Sequence, residues 1–119
     1  MRVIPIIRCK DMRRTVAFYT KVLTFECDDP PSSPVVDLLF DGKVVLQIST
    51  FDGPFKNAIN VRVDEVDALF DTFLARGLDP SQKPDSPVHQ GPLDQTWGMR
   101  EFYVTDPDGN TLRFGRPIR

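Results

Sequence analysis

His89 is the only histidine in the chain, so one protomer cannot assemble a histidine pair or a two-histidine, one-carboxylate metal triad. A carboxylate-rich Mg²⁺ or Ca²⁺ centre needs acidic side chains converging from inner faces. Here they collect in turns and along one helix-like stretch. Cys9 and Cys27 are the only cysteines, and neither has a CxxC partner or an adjacent histidine, which points to two reduced thiols rather than a disulfide or a nucleophile. Acid–base work requires a group tuned by its surroundings, and Glu101 and His89 are the candidates. His89 sits in a proline-rich stretch and reads as a solvated loop residue, and Glu101 reads as structural or rim, so no catalytic residue is assigned. What remains is binding chemistry: aromatic faces at Trp97 and Tyr103, amides at Gln47 and Asn60, and guanidinium groups at Arg8, Arg62 and Arg113.

These residues sit in stretches with recognisable element signatures. Arg2–Cys9 is β-branched and apolar and reads as a strand, with Pro5 marking an edge or an interruption. Asp11 is a plausible N-cap for a helix of about three turns in which Met12, Val16, Tyr19 and Val22/Leu23 recur, and Thr24 stands where a C-terminal glycine is expected. Phe25–Asp28 is a short strand candidate. Val35–Phe40 and Lys43–Ser49 flank the hairpin signal Asp41-Gly42. After a break at Phe51–Phe55, Ala58–Val63 alternates like a strand. Asp64 is the expected cap of a second helix with the stripe Val66, Leu69, Phe70, Phe73 and Leu74, ending at Gly77. Leu78–Gln82 is a further strand candidate, and Lys83–Thr96 is a long irregular connection of the kind that forms lids or binding loops. Trp97–Thr105 and Thr111–Phe114 close the chain as a hairpin around Pro107-Asp108-Gly109.

The order β-α-β-β-β therefore occurs twice. Arg8-Cys9-Lys10-Asp11-Met12 aligns with Arg62-Val63-Asp64-Glu65-Val66, and Asp41-Gly42-Lys43 with Asp108-Gly109-Asn110. The expected fold class is α+β: one domain over 1–119, built of modules 1–54 and 55–119, whose curved mixed sheets form a concave cup. Strand alternation places Ile4, Ile6, Arg8, Val45, Gln47, Ser49, Ala58, Asn60, Arg62, Glu101, Tyr103 and Arg113 on the inner face. Arg8 and Arg62 lie near strand ends, where snorkelling to the rim is the alternative. Trp97 either lines the cup or plugs the base of the long loop.

Net charge is −2, which argues against a nucleic-acid partner because such binding leans on a basic face. No apolar run approaches the roughly 20 residues that span a bilayer, and no signal-peptide core precedes the first charges. A cytoplasmic protein with no membrane partner is expected.

Paired β-α-β-β-β modules, Asp11 leading into Ala17-Phe18-Tyr19 and Leu23-Thr24-Phe25, and Trp97-Gly98…Arg100-Glu101-Phe102 running into Asp106-Pro107-Asp108-Gly109-Asn110 resemble the glyoxalase/bleomycin-resistance group of the vicinal oxygen chelate superfamily. The last motif is most similar to the bleomycin-resistance branch. The resemblance implies that enzymes of the superfamily hold a divalent metal through His, Glu or Gln from corresponding strands of both modules. The matching positions here are Ile4, Gln47, Ala58 and Arg113, of which only Gln47 is ligand-type, so neither metal nor cofactor is expected. The reading is a metal-independent protein that binds or sequesters a small molecule, resembling antibiotic-resistance proteins. Its expected ligand-binding set is Gln47, Asn60, Arg62, Trp97, Glu101, Tyr103 and Arg113. Up to three arginines against one Glu101 suit a planar or anionic ligand better than cationic bleomycin, with Trp97 and Tyr103 stacking and an arginine holding a carboxylate or phosphate. The resemblance also implies a homodimer, with strand exchange near Pro5 left open. The alternatives are a glyoxalase-type metal-dependent lyase, isomerase or dioxygenase, and an interaction module with a filled cup.

Overall fold

Alternation along each strand decides what is buried. Ile7 and Cys9, Val36 and Leu38, and Leu46 and Ile48 are buried, while their neighbours along the strands are more exposed. The computed structural model describes residues 1–51, 56–80 and 91–118. It comprises two compact units, Met1–Asn57 with Asp106–Asn110, and Ala58–Thr105 with Thr111–Arg119.

In the first unit β1 (Ile6–Arg8) runs parallel to β3 (Lys43–Ser49), which pairs antiparallel with β2 (Val35–Phe40). Helix α1 (Met12–Ala17) begins at Asp11, whose Oδ1 accepts from the Arg14 N–H at 3.1 Å. It continues as a π-helical turn over Phe18–Val22. Met12, Thr15, Tyr19 and Leu23 make the buried stripe; Thr15 takes the place expected for Val16 because its hydroxyl donates to Asp108 Oδ2 at 2.9 Å. Thr24 adopts φ 66°, the left-handed turn that a glycine would have made without strain.

The second unit orders its strands β4-β7-β6-β5: β4 (Ala58–Arg62), β5 (Leu93–Asp94), β6 (Met99–Thr105) and β7 (Thr111–Pro117). Helix α2 (Val66–Ala75) packs on β6 and β7. Phe102 and Phe114 stack with centroids 5.2 Å apart, and Phe73 meets them edge-on at 5.9 and 5.2 Å. Each buried phenylalanine of this cluster contributes about 1.5–3 kcal/mol through burial, with a further 0.5–1.5 or so per ring pair. Gly77, at φ 103°, ends the helix, and the Leu78 N–H returns to the Phe73 carbonyl at 2.9 Å.

Several sequence expectations are corrected. Strand β1 is shorter than Arg2–Cys9, since pairing to β3 starts only after Pro5. Phe25–Asp28 contributes a single bridge, Glu26 to Leu39. Glu65, not Asp64, is the α2 N-cap position, and it makes no side-chain cap bond. Leu74 is exposed rather than part of the stripe. Leu78–Pro80 is not strand; the added strand is Leu93–Asp94, which the sequence reading placed in an irregular connection and which pairs with Arg100 and Glu101. His89 and most of the 83–96 connection lie outside the described residues.

The Asp106-Pro-Asp-Gly-Asn110 turn belongs to the first unit. Asp106 is buried, and Oδ1 accepts from the N–H groups of Asp108 (2.8 Å) and Asn110 (2.9 Å). Its Oδ2 accepts from the Tyr19 hydroxyl (2.8 Å) and Asn110 Nδ2 (3.0 Å). Asn110 also donates to the Arg8 carbonyl and accepts from the Asn57 N–H. Burial raises the Asp106 carboxyl above the ordinary aspartate range, and these donors offset part of that rise. Tyr19→Phe keeps the ring but leaves a buried carboxylate short of one donor. We expect a loss of about 1–3 kcal/mol, read as a lower denaturant midpoint at unchanged slope; an unchanged midpoint would remove this role.

Candidate functional site

The second unit's sheet has one face under α2 and one open face. The register sets the open face in rows: Asn60, Arg113 and Tyr103 in one, and Arg62, Gly115 and Glu101 in the next. Within the first unit the corresponding row is Ile6, Gln47 and Asp37. In both units the last strand therefore presents its residue, Gln47 or Arg113, between two neighbours.

Arg113 is the centre of the open face. Its Nη2 donates to Glu101 Oε1 at 2.9 Å, and the Tyr103 hydroxyl donates to the same oxygen at 3.0 Å. The guanidinium carbon lies 5.0 Å from the Tyr103 ring centroid and 5.8 Å from that of Trp97, within cation–π range. The Glu101 side chain is only 4% exposed and the Arg113 side chain 30%. Glu101 is thus a buried partner rather than a rim residue. Its bond to Arg113 gives one of the three arginines counted against Glu101 an internal counter-ion.

Trp97 is 56% exposed, which removes its reading as a core plug. It sits in the turn between β5 and β6, where the Gly98 N–H returns to the Gln95 carbonyl at 3.1 Å. Gly98 takes φ 83° to close that turn, so the Trp-Gly pair of the motif is a presentation device for the indole. Arg62 is exposed and its Nη1 lies 3.0 Å from Met99 Sδ; Asn60 is exposed beside Arg113 in register. Among the described residues, no carboxylate forms an ion pair with Arg62.

Arg100 points the other way, toward α2, bonding Asp67 at 2.9 and 2.7 Å and Asp94 at 3.0 Å. Those bonds hold the Asp67 carboxyl below its ordinary range. A polar depression lined by Asp64, Glu65, Asp94, Arg100, Arg116 and Ile118 lies on this side; its Arg100 is occupied with fastening β6 to α2.

In the first unit Gln47 Nε2 donates to Asp37 Oδ1 at 2.8 Å. Asp37 went unnoticed in the sequence, although the alternation that buries Val36 and Leu38 was the signal for it. Gly115, between Arg62 and Glu101, was also missed, and no local pattern marks it. Cys9 and Cys27 are both free thiols, and burial pushes Cys9 up to about 11, which suppresses thiolate chemistry.

The family model described as Glyoxalase/Bleomycin resistance protein/Dioxygenase superfamily matches residues 3–114. The chain belongs to this superfamily. No curated protein sequence matches it. Among solved structures, a bleomycin resistance determinant encoded on the transposon Tn5 superposes with TM-score 0.80 at 21% identity, covering 98% of both chains. The bleomycin-binding protein of bleomycin-producing Streptomyces verticillus, complexed with copper(II)-bleomycin, gives 0.74 at 24% identity over 96% of this chain and 93% of that one. A glyoxalase/bleomycin resistance protein/dioxygenase from Nocardioides gives 0.73 at 17% identity over 100% and 85%. The superfamily's α+β fold, with two mixed sheets and few helices, is shared.

The superfamily's divalent metal does not fit the corresponding residues here. Ile4 and Ala58 offer hydrocarbon, Arg113 offers a cation bonded to Glu101, and the Gln47 amide is engaged with Asp37. Among the described residues no three His, Cys, Asp or Glu side chains converge as a metal site.

Both tyrosines of the chain are held protonated beyond their ordinary range. Tyr19 is raised by burial and by Asp106, and Tyr103 by burial and by its bond to Glu101. The folded state thus binds these protons more tightly than the unfolded one. The associated stability is complete below about pH 10 and is lost as pH rises from there through the raised folded-state values. Ultraviolet titration is expected to show less phenolate at about pH 10 in the folded chain than in the unfolded one; equal ionisation in the two states would contradict this geometry.

Proposed function

We propose that this chain is a metal-independent small-molecule binding or sequestering protein of the bleomycin-resistance type, acting in the cytoplasm as a homodimer. The observation that carries the reading is the open face of β4-β7-β6, where an exposed Trp97 and Tyr103 flank an Arg113 whose charge is balanced by Glu101. Such a platform recognises a planar ring by stacking. Asn60 supplies an amide beside it, and Arg62 supplies the cation for an anionic substituent. Bleomycin-binding proteins of the same fold support binding rather than turnover, as does the unsuitable metal donor set. A homodimer fits the exposed apolar side chains Ile4, Ile6 and Val45.

Native mass spectrometry of protein purified without chelator reads these points together. The expected result is two copies, no stoichiometric divalent ion and a co-purified small molecule. One metal ion per chain, with activity on hemithioacetals or catechols, would replace this reading with a glyoxalase-type enzyme. Because Trp97 is the only tryptophan, its fluorescence is expected to be quenched by a planar anion such as 1-anilinonaphthalene-8-sulfonate. Arg62→Gln should weaken that binding by about tenfold, the equivalent of one lost charge contact. Submicromolar binding of bleomycin with no response to the planar anion would overturn the assigned ligand class.

A further inference from the structure

Gly115 is buried in the middle of β7, facing Arg62 on one side and Glu101 on the other. It is not among the glycines with positive φ, so the backbone does not require glycine there. Space does. A Cβ at this position would stand 2.9 Å from Glu101 Cβ, 3.1 Å from the Arg100 carbonyl oxygen and 3.4 Å from Glu101 Oε2. The nearest atom belongs to the stem of Glu101, close to the backbone, where little rotation is available. The Glu101 side chain therefore lies in the volume that any other residue at 115 would fill, and from there Oε1 reaches both Arg113 Nη2 and the Tyr103 hydroxyl.

We propose that Gly115 is a specificity-determining position for the open face. Its missing side chain seats the Glu101 carboxylate against Arg113, so the aromatic platform is charge-balanced and takes a planar ring, while Arg62 rather than Arg113 meets an anionic substituent. This rests on the reading of that face as the binding surface, and it names the residue that sets its ligand class. Gly115 acts through Glu101 and is a positioning residue; the group whose charge it controls is Arg113. A larger residue at 115 displaces Glu101 and leaves a bare guanidinium beside Trp97 and Tyr103, which converts the platform into an anion site.

The test needs no ligand, so its failure is distinct from failure of the function above. Trp97 emission is quenched by iodide and by caesium at constant ionic strength, each normalised to acrylamide, and their ratio reports the charge near the indole. Glu101→Gln removes the counter-charge at nearly constant shape and is expected to raise iodide quenching and lower caesium quenching about threefold each, the effect of one unit charge some 6 Å away in water, so that their ratio rises about tenfold at low salt and less as salt screens the charge. Gly115→Ala is expected to raise it similarly. A folded Gly115→Ala protein with an unchanged ratio overturns the role of Gly115, and an unchanged ratio in Glu101→Gln overturns the charge balance itself. If Gly115→Ala does not fold, the double variant Gly115→Ala/Glu101→Gly removes the overlapping Cβ. Recovery of folding in the double variant supports the coupling, and equal loss in both overturns it.

Discussion

A single buried carboxylate organises the first unit. Asp106 receives four hydrogen bonds, three from its own turn (the Asp108 and Asn110 N–H groups and the Asn110 side-chain amide) and one from the Tyr19 hydroxyl. A carboxylate with so little water is tolerable only when its lone pairs are engaged. Those bonds dictate the local path of the chain: Pro107 to Gly109 must curl around it, Asp108 must face Lys10 and Thr15, and Asn110 must reach the carbonyl of Arg8. The acidic, proline- and glycine-containing turn of the family motif is thus a structural fastening.

The open face of the second unit is governed by the same economy of buried charge. Glu101 has almost no exposure, and it is accommodated because a tyrosine hydroxyl and a guanidinium both converge on one oxygen. Removing either partner leaves an acceptor without water, whereas the pair together is close to neutral in stability. The arrangement therefore fixes geometry more than it adds stability. It holds the Arg113 guanidinium within cation–π range of the Trp97 and Tyr103 rings, fixes Tyr103 as a donor, and leaves Arg62 and Asn60 more exposed.

The strands and most of their faces were legible in the sequence, because alternation over β2, β3, β4 and β6 is a local property enforced by the pleat. So were the turn at Gly77 and the special position of Thr24, since helix ends leave a chemical mark. The π-helical turn at Phe18–Val22 and the short strand Leu93–Asp94 were not. The first carries Tyr19, whose side chain is fully buried, and no local residue pattern marks it. The second is two residues long and exists only because β6 offers an unpaired edge.

By itself, the sequence determined the family, through the motif residues that resemble it, and the parity of β2, β3, β4 and β6. Parity follows from the pleat, which needs no knowledge of distant neighbours. Only the tertiary structure decided how charge is distributed among the side chains of the open face. Whether Arg113 confronts a ligand or Glu101 depends on a cross-strand register and on the space left at Gly115, where an added Cβ would stand only 2.9 Å from Glu101 Cβ. Electrostatic partners are chosen by distances of a few ångströms between residues far apart in the chain, and no local pattern records them.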